Sequence, residues 1–280
     1  MINIFYSIVC YFVLILMQPI IFINAYIKNI FKLKHFKDQN FEEINKNILK
    51  EFKNLGYSRY SSNLKLKNIS KNLKKKIDFL NSINRYFPNS KLFFNKNYYN
   101  YSNEKFLKWK IFFPEINSIV EENLSLFTRE ILGKKYEIIS AIWQKNQNIP
   151  EHDKNEYFSN YWHFDFRRDK KKWLRLMIYL TDQGKEESLH WFNFANSQRA
   201  IQNEDYGRFS DNKLPEYLKN KHNTSEGSLG TIGIVNTADI LHKAGLPPQN
   251  KPREVIFVIL KSKDLEWEDN LNFIDSPIKN

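Results

Sequence analysis

The chain has 280 residues, of which 42% are hydrophobic and 16% aromatic, enough apolar material for one large core or a core with an appendage. A single cysteine, Cys10, excludes an internal disulfide framework. The formal charge of +12 comes with no recognisable nucleic-acid motif, so it reads as solvated lysine surface and no specific nucleic-acid partner is expected.

Residues 1–27 carry no charged side chain. As a helix, Ile4–Ile27 would extend roughly 36 Å, more than the ~30 Å of a bilayer core. Residues 1–30 are therefore read as a hydrophobic N-terminal anchor, a transmembrane helix; a segment lying on the membrane or a buried helical hairpin is the other reading. Lys28, Lys32, Lys34 and Lys37 follow it, which places the body of the chain on the cytoplasmic side.

Residues 31–133 read as a helical flanking region. Phe41, Ile44, Ile48, Phe52 and Leu55 recur at helical spacing up to Gly56. Leu73, Ile77 and Leu80 repeat the pattern. Ile116, Val120, Leu124, Phe127 and Ile131 predict a third helix over 115–132, ending at Gly133. The aromatic-rich stretch 86–113 matches neither period.

From residue 134 the period becomes two. KYEIISAIWQ, RLMIYLTD, HWFNFAN, GTIGIVNT and REVIFVILK read as strands separated by polar or Gly/Pro loops. Many strands at this spacing suggest a sandwich or barrel, with a jelly roll as one double-sheet solution. The catalytic core is placed at 134–262 and a polar tail at 263–280, giving an α+β chain.

Two features carry chemistry. In NYWHFDFRRD, His163 and Asp165 stand two apart, which in extended chain puts both on one face. The pair is either a hydrogen-bonded couple or two ligands of a metal site. Far downstream, His242 sits just past a strand, and Arg253 opens another. Two imidazoles and one carboxylate are what a facial iron site needs, leaving positions open for a chelating cosubstrate and O₂. An arginine is suited to grip a carboxylate with two hydrogen bonds.

The order H-x-D, then WLRLMIYLTD, then LHKAG with an arginine eleven residues after its histidine, resembles the phytanoyl-CoA dioxygenase-like branch of the Fe(II)/2-oxoglutarate oxygenases. The resemblance spans roughly residues 134–262. It implies a double-stranded β-helix, or jelly roll, flanked by helices. It implies that His163, Asp165 and His242 bind iron and that Arg253 holds the distal carboxylate of 2-oxoglutarate. Arg175 takes the place of a basic residue, often lysine, on the strand after H-x-D; it contacts cosubstrate or substrate, or pairs with a nearby carboxylate. His190 fits the first histidine of a family segment in which Gln198 replaces the second, and Ala244 stands where a hydroxyl residue is common. The carboxylate of Asp165 fills the position that a halide takes in halogenating relatives, so the resemblance implies hydroxylation, or a related oxidation, rather than halogenation. The expected substrate is a small molecule or, given the anchor, a lipid-linked one. A jelly-roll module without turnover and a basic membrane-surface protein are the competing readings.

Overall fold

The computed structural model describes residues 39–86, 94–96, 102–107, 113–146, 148, 160–165, 171–203 and 208–266. The N-terminal anchor predicted over 1–30 and the tail beyond 266 lie outside the described residues. Among the described residues, no helix is long and apolar enough to cross a membrane.

Helix α1 (Gln39–Leu55) turns Ile48 and Phe52 inward and ends at Gly56. Gly56 adopts φ +77, and a Cβ there would lie 2.3 Å from Ile240 Cγ2. Both the left-handed backbone and the close approach require glycine. Strand β1 (Tyr57–Tyr60) follows at once, then α2 (Leu64–Tyr86), β2 (Phe94–Lys96) and β3 (Ser102–Leu107). The flanking region is therefore not wholly helical: its helix-to-strand switch at Gly56 supplies an edge strand to the main sheet.

The single helix predicted over 115–132 is two helices, α3 (Phe113–Asn123) and α4 (Ser125–Leu132). The break falls at Leu124, whose φ of −123 and ψ of 9 leave the helical range. Asn45 of α1 donates to the Asn123 carbonyl at 3.4 Å, giving that buried acceptor a partner outside the helix.

The remaining strands are β4 (Tyr136–Asn146), β5 (Lys171–Tyr179), β6 (Leu189–Trp191), β7 (Asn223–Thr224), β8 (Ile232–Val235), β9 (His242–Ala244) and β10 (Arg253–Glu266). HWFNFAN is strand only as far as Trp191. Asn193 then accepts a hydrogen bond from the Asn196 backbone and caps helix α5 (Phe194–Gln202).

Among the described residues, two antiparallel sheets result, one of seven strands in the order β1-β8-β5-β10-β4-β3-β2 and one of three, β7-β6-β9. The period-two alternation divides the large sheet cleanly. Leu174, Leu176, Ile178, Ile232, Ile234, Ile256, Val258 and Leu260 face the helices and form the main core with Phe52, Leu73, Ile77, Ile119 and Phe127. Met177, Tyr179, Val235 and Val255 face the other way, against Leu189 and Trp191 of the small sheet. The arrangement is a mixed, jelly-roll-like fold, and the space between its sheets holds the candidate site.

Candidate metal centre between the sheets

Residues 161–165 run alongside β9. His163 and His242 exchange both backbone hydrogen bonds, at 2.9 and 3.0 Å, and the Asp165 amide donates to the Thr237 carbonyl at 2.8 Å. Alternation does the rest. Trp162 and Phe164 turn outward into an aromatic cluster with Phe192 and Phe209, while His163 and Asp165 turn inward.

One ligand atom from each of His163, Asp165 and His242 falls within 4.8 Å of the others, a group able to hold a metal ion. The two imidazoles are set in the same way. His163 Nδ1 contacts the Tyr161 carbonyl at 2.6 Å, and His242 Nδ1 contacts the Ile240 carbonyl at 3.0 Å. A carbonyl only accepts, so each Nδ1 carries the proton and each Nε2 keeps its lone pair.

Electrostatics favour the same ligand state. Burial, and then the neighbouring His242, push the His163 imidazole down to about 3. Burial also lowers His242. Burial alone would raise Asp165, but the Arg175 guanidinium, followed by the two histidines, holds its carboxyl below the usual carboxylate range. At neutral pH the group is two neutral imidazoles and one carboxylate.

Arg175 lies on the inner face of β5 with its Nη2 2.8 Å from Asp165 Oδ2. Of the two roles open to it in the sequence, the carboxylate pairing is the one observed. Arg253 is 2% exposed at the start of β10, and its Nη1 donates to the Glu187 carbonyl at 3.0 Å. The loop carrying Glu187 is itself fastened. Its carboxylate accepts from the Gly184 amide at 2.8 Å and pairs with Lys251 at 2.6 Å. A Cβ on Gly245 would sit 2.2 Å from the carbonyl oxygens of both Glu186 and Ser188, so this approach admits only glycine.

His190 does not join the group. It pairs across the small sheet with Lys243, one step out of phase with His242, and so faces outward. There its ring stacks on His222 with centroids 5.1 Å apart. Gln198 falls in α5 and Ala244 on β9, on the same face as His242. The inner wall also contains Tyr57, Tyr179 and Trp191, which the sequence did not single out. Alternation places Trp191 opposite in phase to His190, but nothing local in the sequence sets its register against His242.

No protein-family model and no curated protein matches the chain. Solved structures do. The non-heme α-ketoglutarate-dependent epimerase SnoN from nogalamycin biosynthesis superposes with a TM-score of 0.56 at 11% identity, over 79% of this chain and 84% of that one. HygX from Streptomyces hygroscopicus, crystallised with nickel and 2-oxoglutarate, gives 0.52 at 10% identity over 83% and 95%. SnoN in complex with Fe³⁺, α-ketoglutarate and nogalamycin RO gives 0.52 at 10% identity over 85% and 97%. The chain thus shares the fold of SnoN and HygX.

Proposed function

We propose that this chain is an Fe(II)- and 2-oxoglutarate-dependent oxygenase that hydroxylates an unactivated C–H bond of a small-molecule or lipid-linked substrate, with release of succinate and CO₂. The observation that carries the reading is the convergence of ligand atoms from two neutral imidazoles and one carboxylate within 4.8 Å of one another, with the Arg175 guanidinium 2.8 Å from that carboxylate. That donor set suits a divalent iron with open positions on one face.

His163, Asp165 and His242 would hold the iron, and Arg253 the distal carboxylate of the cosubstrate. Iron with 2-oxoglutarate and O₂ supplies the oxidising power when bound. The chain's own contribution is orientation and dryness. The two carbonyls fix the imidazole rings, Arg175 keeps Asp165 ionised, and Met177, Val235, Ile240 and Val255 line the space with apolar surface that excludes water. The order of motifs supports the phytanoyl-CoA dioxygenase-like branch and its double-stranded β-helix. The uncharged run Ile4–Ile27 supports a membrane tether with the catalytic body on the cytoplasmic side, close to lipid-linked substrates.

The test is conversion of 2-oxoglutarate to succinate by the iron-loaded protein over a panel of small-molecule and lipid-linked candidates under ¹⁸O₂. Iron-dependent succinate formation with label in the product, lost in Asp165→Ala, is expected. Product without label would point instead to a stereochemical or desaturating outcome, the first of which is the reaction named for SnoN. No succinate with any candidate would contradict the proposal.

A further inference from the structure

The inner wall contains a donor that no described residue uses. Trp191 is 5% exposed, and its indole Nε1 has no hydrogen-bond partner. An N–H buried without an acceptor is costly. Its position is set by register. Trp191 lies directly across from His242 on the neighbouring strand, and His242 in turn faces His163, so the three occupy one row on the inner face of the small sheet.

The indole plane is held by stacking on Tyr57, with centroids 4.6 Å apart and 27° between the rings. The Tyr57 hydroxyl lies beside that of Tyr179, which donates to the Ser225 carbonyl at 2.5 Å. The rest of the surround is Leu189, Val235, Ile240 and Val255. Ala244, on the same face of β9 as His242, offers no polar atom. Tyr179 and Val255 of the same cluster lie on the two strands that meet next to Arg253, whose guanidinium acts on the Tyr179 hydroxyl. An unpartnered buried N–H in an otherwise apolar wall, with a buried arginine on the strand that supplies Val255 to that wall, suits an acceptor bearing negative charge.

We infer that the Trp191 indole N–H donates to the distal carboxylate of the bound 2-oxoglutarate, sharing with Arg253 the recognition of that group. The inference rests on the iron and 2-oxoglutarate reading of the site. Trp191 is then a binding residue that sets affinity for the dicarboxylate and leaves metal affinity alone.

The experiment uses the full chain, loaded with Fe(II) under anaerobic conditions, and follows the visible charge-transfer band as 2-oxoglutarate or pyruvate is added. Pyruvate offers the same chelating keto acid without the distal carboxylate. A hydrogen bond to a charged group corresponds to roughly a 10- to 100-fold effect. Trp191→Phe is therefore expected to weaken 2-oxoglutarate binding at least roughly tenfold, with Fe(II) and pyruvate binding unchanged. In ¹⁵N-tryptophan-labelled, Zn(II)-loaded wild-type protein, the Trp191 indole resonance should move on adding 2-oxoglutarate and not on adding pyruvate. That measurement holds even if the variant folds poorly. Unchanged 2-oxoglutarate affinity in a folded variant, equal weakening of both keto acids, or an indole signal indifferent to 2-oxoglutarate would overturn the inference. Wild-type protein that retains Fe(II) but forms no chelate with either keto acid would instead contradict the functional reading, and this inference with it.

Discussion

Arg175 Nη2 lies 2.8 Å from Asp165 Oδ2, so the one carboxylate of the candidate metal centre has a cation behind it. The pair joins the inner face of β5 to the chain beside β9, and it keeps Asp165 ionised in a largely buried position. Replacing a partner behind a ligand typically costs 10- to 100-fold in metal affinity. Arg175→Met is expected to weaken divalent metal binding by roughly tenfold or more, and Arg175→Lys to restore part of it. Titration with Co(II) or Ni(II) reads both.

The pH dependence of the metal-free chain follows from its buried histidines. His163 is held down to about 3 and His190 to about 4, in each case chiefly by burial. The unfolded chain takes up these protons near the ordinary histidine value of about 6.5, whereas the folded chain does not. The contribution is therefore fully present above about 6.5 and is lost as pH falls from there toward about 4 for His190 and about 3 for His163. Each such histidine costs at most about 1.4 kcal/mol per pH unit in that window, and less for the partly exposed His190. Thermal melts in the presence of a chelator should fall between pH 7 and pH 5, and a flat profile would disagree.

Glu254 is 3% exposed at the start of β10. Lys74 of α2 grips both of its oxygens, at 2.7 and 2.8 Å, and Trp143 Nε1 adds a contact at 3.3 Å. This ties the helical layer to the central strands. Lys74→Met would strand a buried carboxylate, with Lys145 at 3.7 Å as the remaining cation. The expected loss is about 3 kcal/mol. The double variant Lys74→Met/Glu254→Leu should recover most of it, because an apolar pair needs no compensation. Denaturant unfolding of the three proteins measures the difference.

Gly245→Ala tests the loop that seats Arg253. Its Cβ would meet two backbone carbonyls at 2.2 Å, and backbone cannot yield as a side-chain tip can. The expected result is a destabilisation of at least about 2 kcal/mol and weaker 2-oxoglutarate binding, since Glu187 between those carbonyls accepts from Arg253. Wild-type melting and wild-type affinity together would show that the loop tolerates displacement.

Much of the architecture was legible because hydrophobic period reports it directly. The spacing of Ile48 and Phe52 marked α1, Gly56 marked its end, and the alternation along β10 separated a helix-facing side from an inner side. The i, i+2 rule placed His163 and Asp165 together without any tertiary information. Other features depend on contacts that period does not encode. The break at Leu124 has no Gly or Pro to announce it. The helix after Trp191 begins at an asparagine cap inside an aromatic run that otherwise reads as strand. The alignment of Trp191 with His242 depends on strand register across a long connection, and a one-residue slip would put His190 there instead. Arg175 was legible as an inner-face residue, but its carboxylate partner was not.

Iron and cosubstrate binding are read together in an anaerobic titration of the chain with Fe(II) and then 2-oxoglutarate, followed in the visible range. A charge-transfer band is expected in the wild-type protein, none in His163→Ala, and a band requiring far more 2-oxoglutarate in Arg253→Ala. A well-folded wild-type chain that gives no band would contradict the assignment of an iron and 2-oxoglutarate centre.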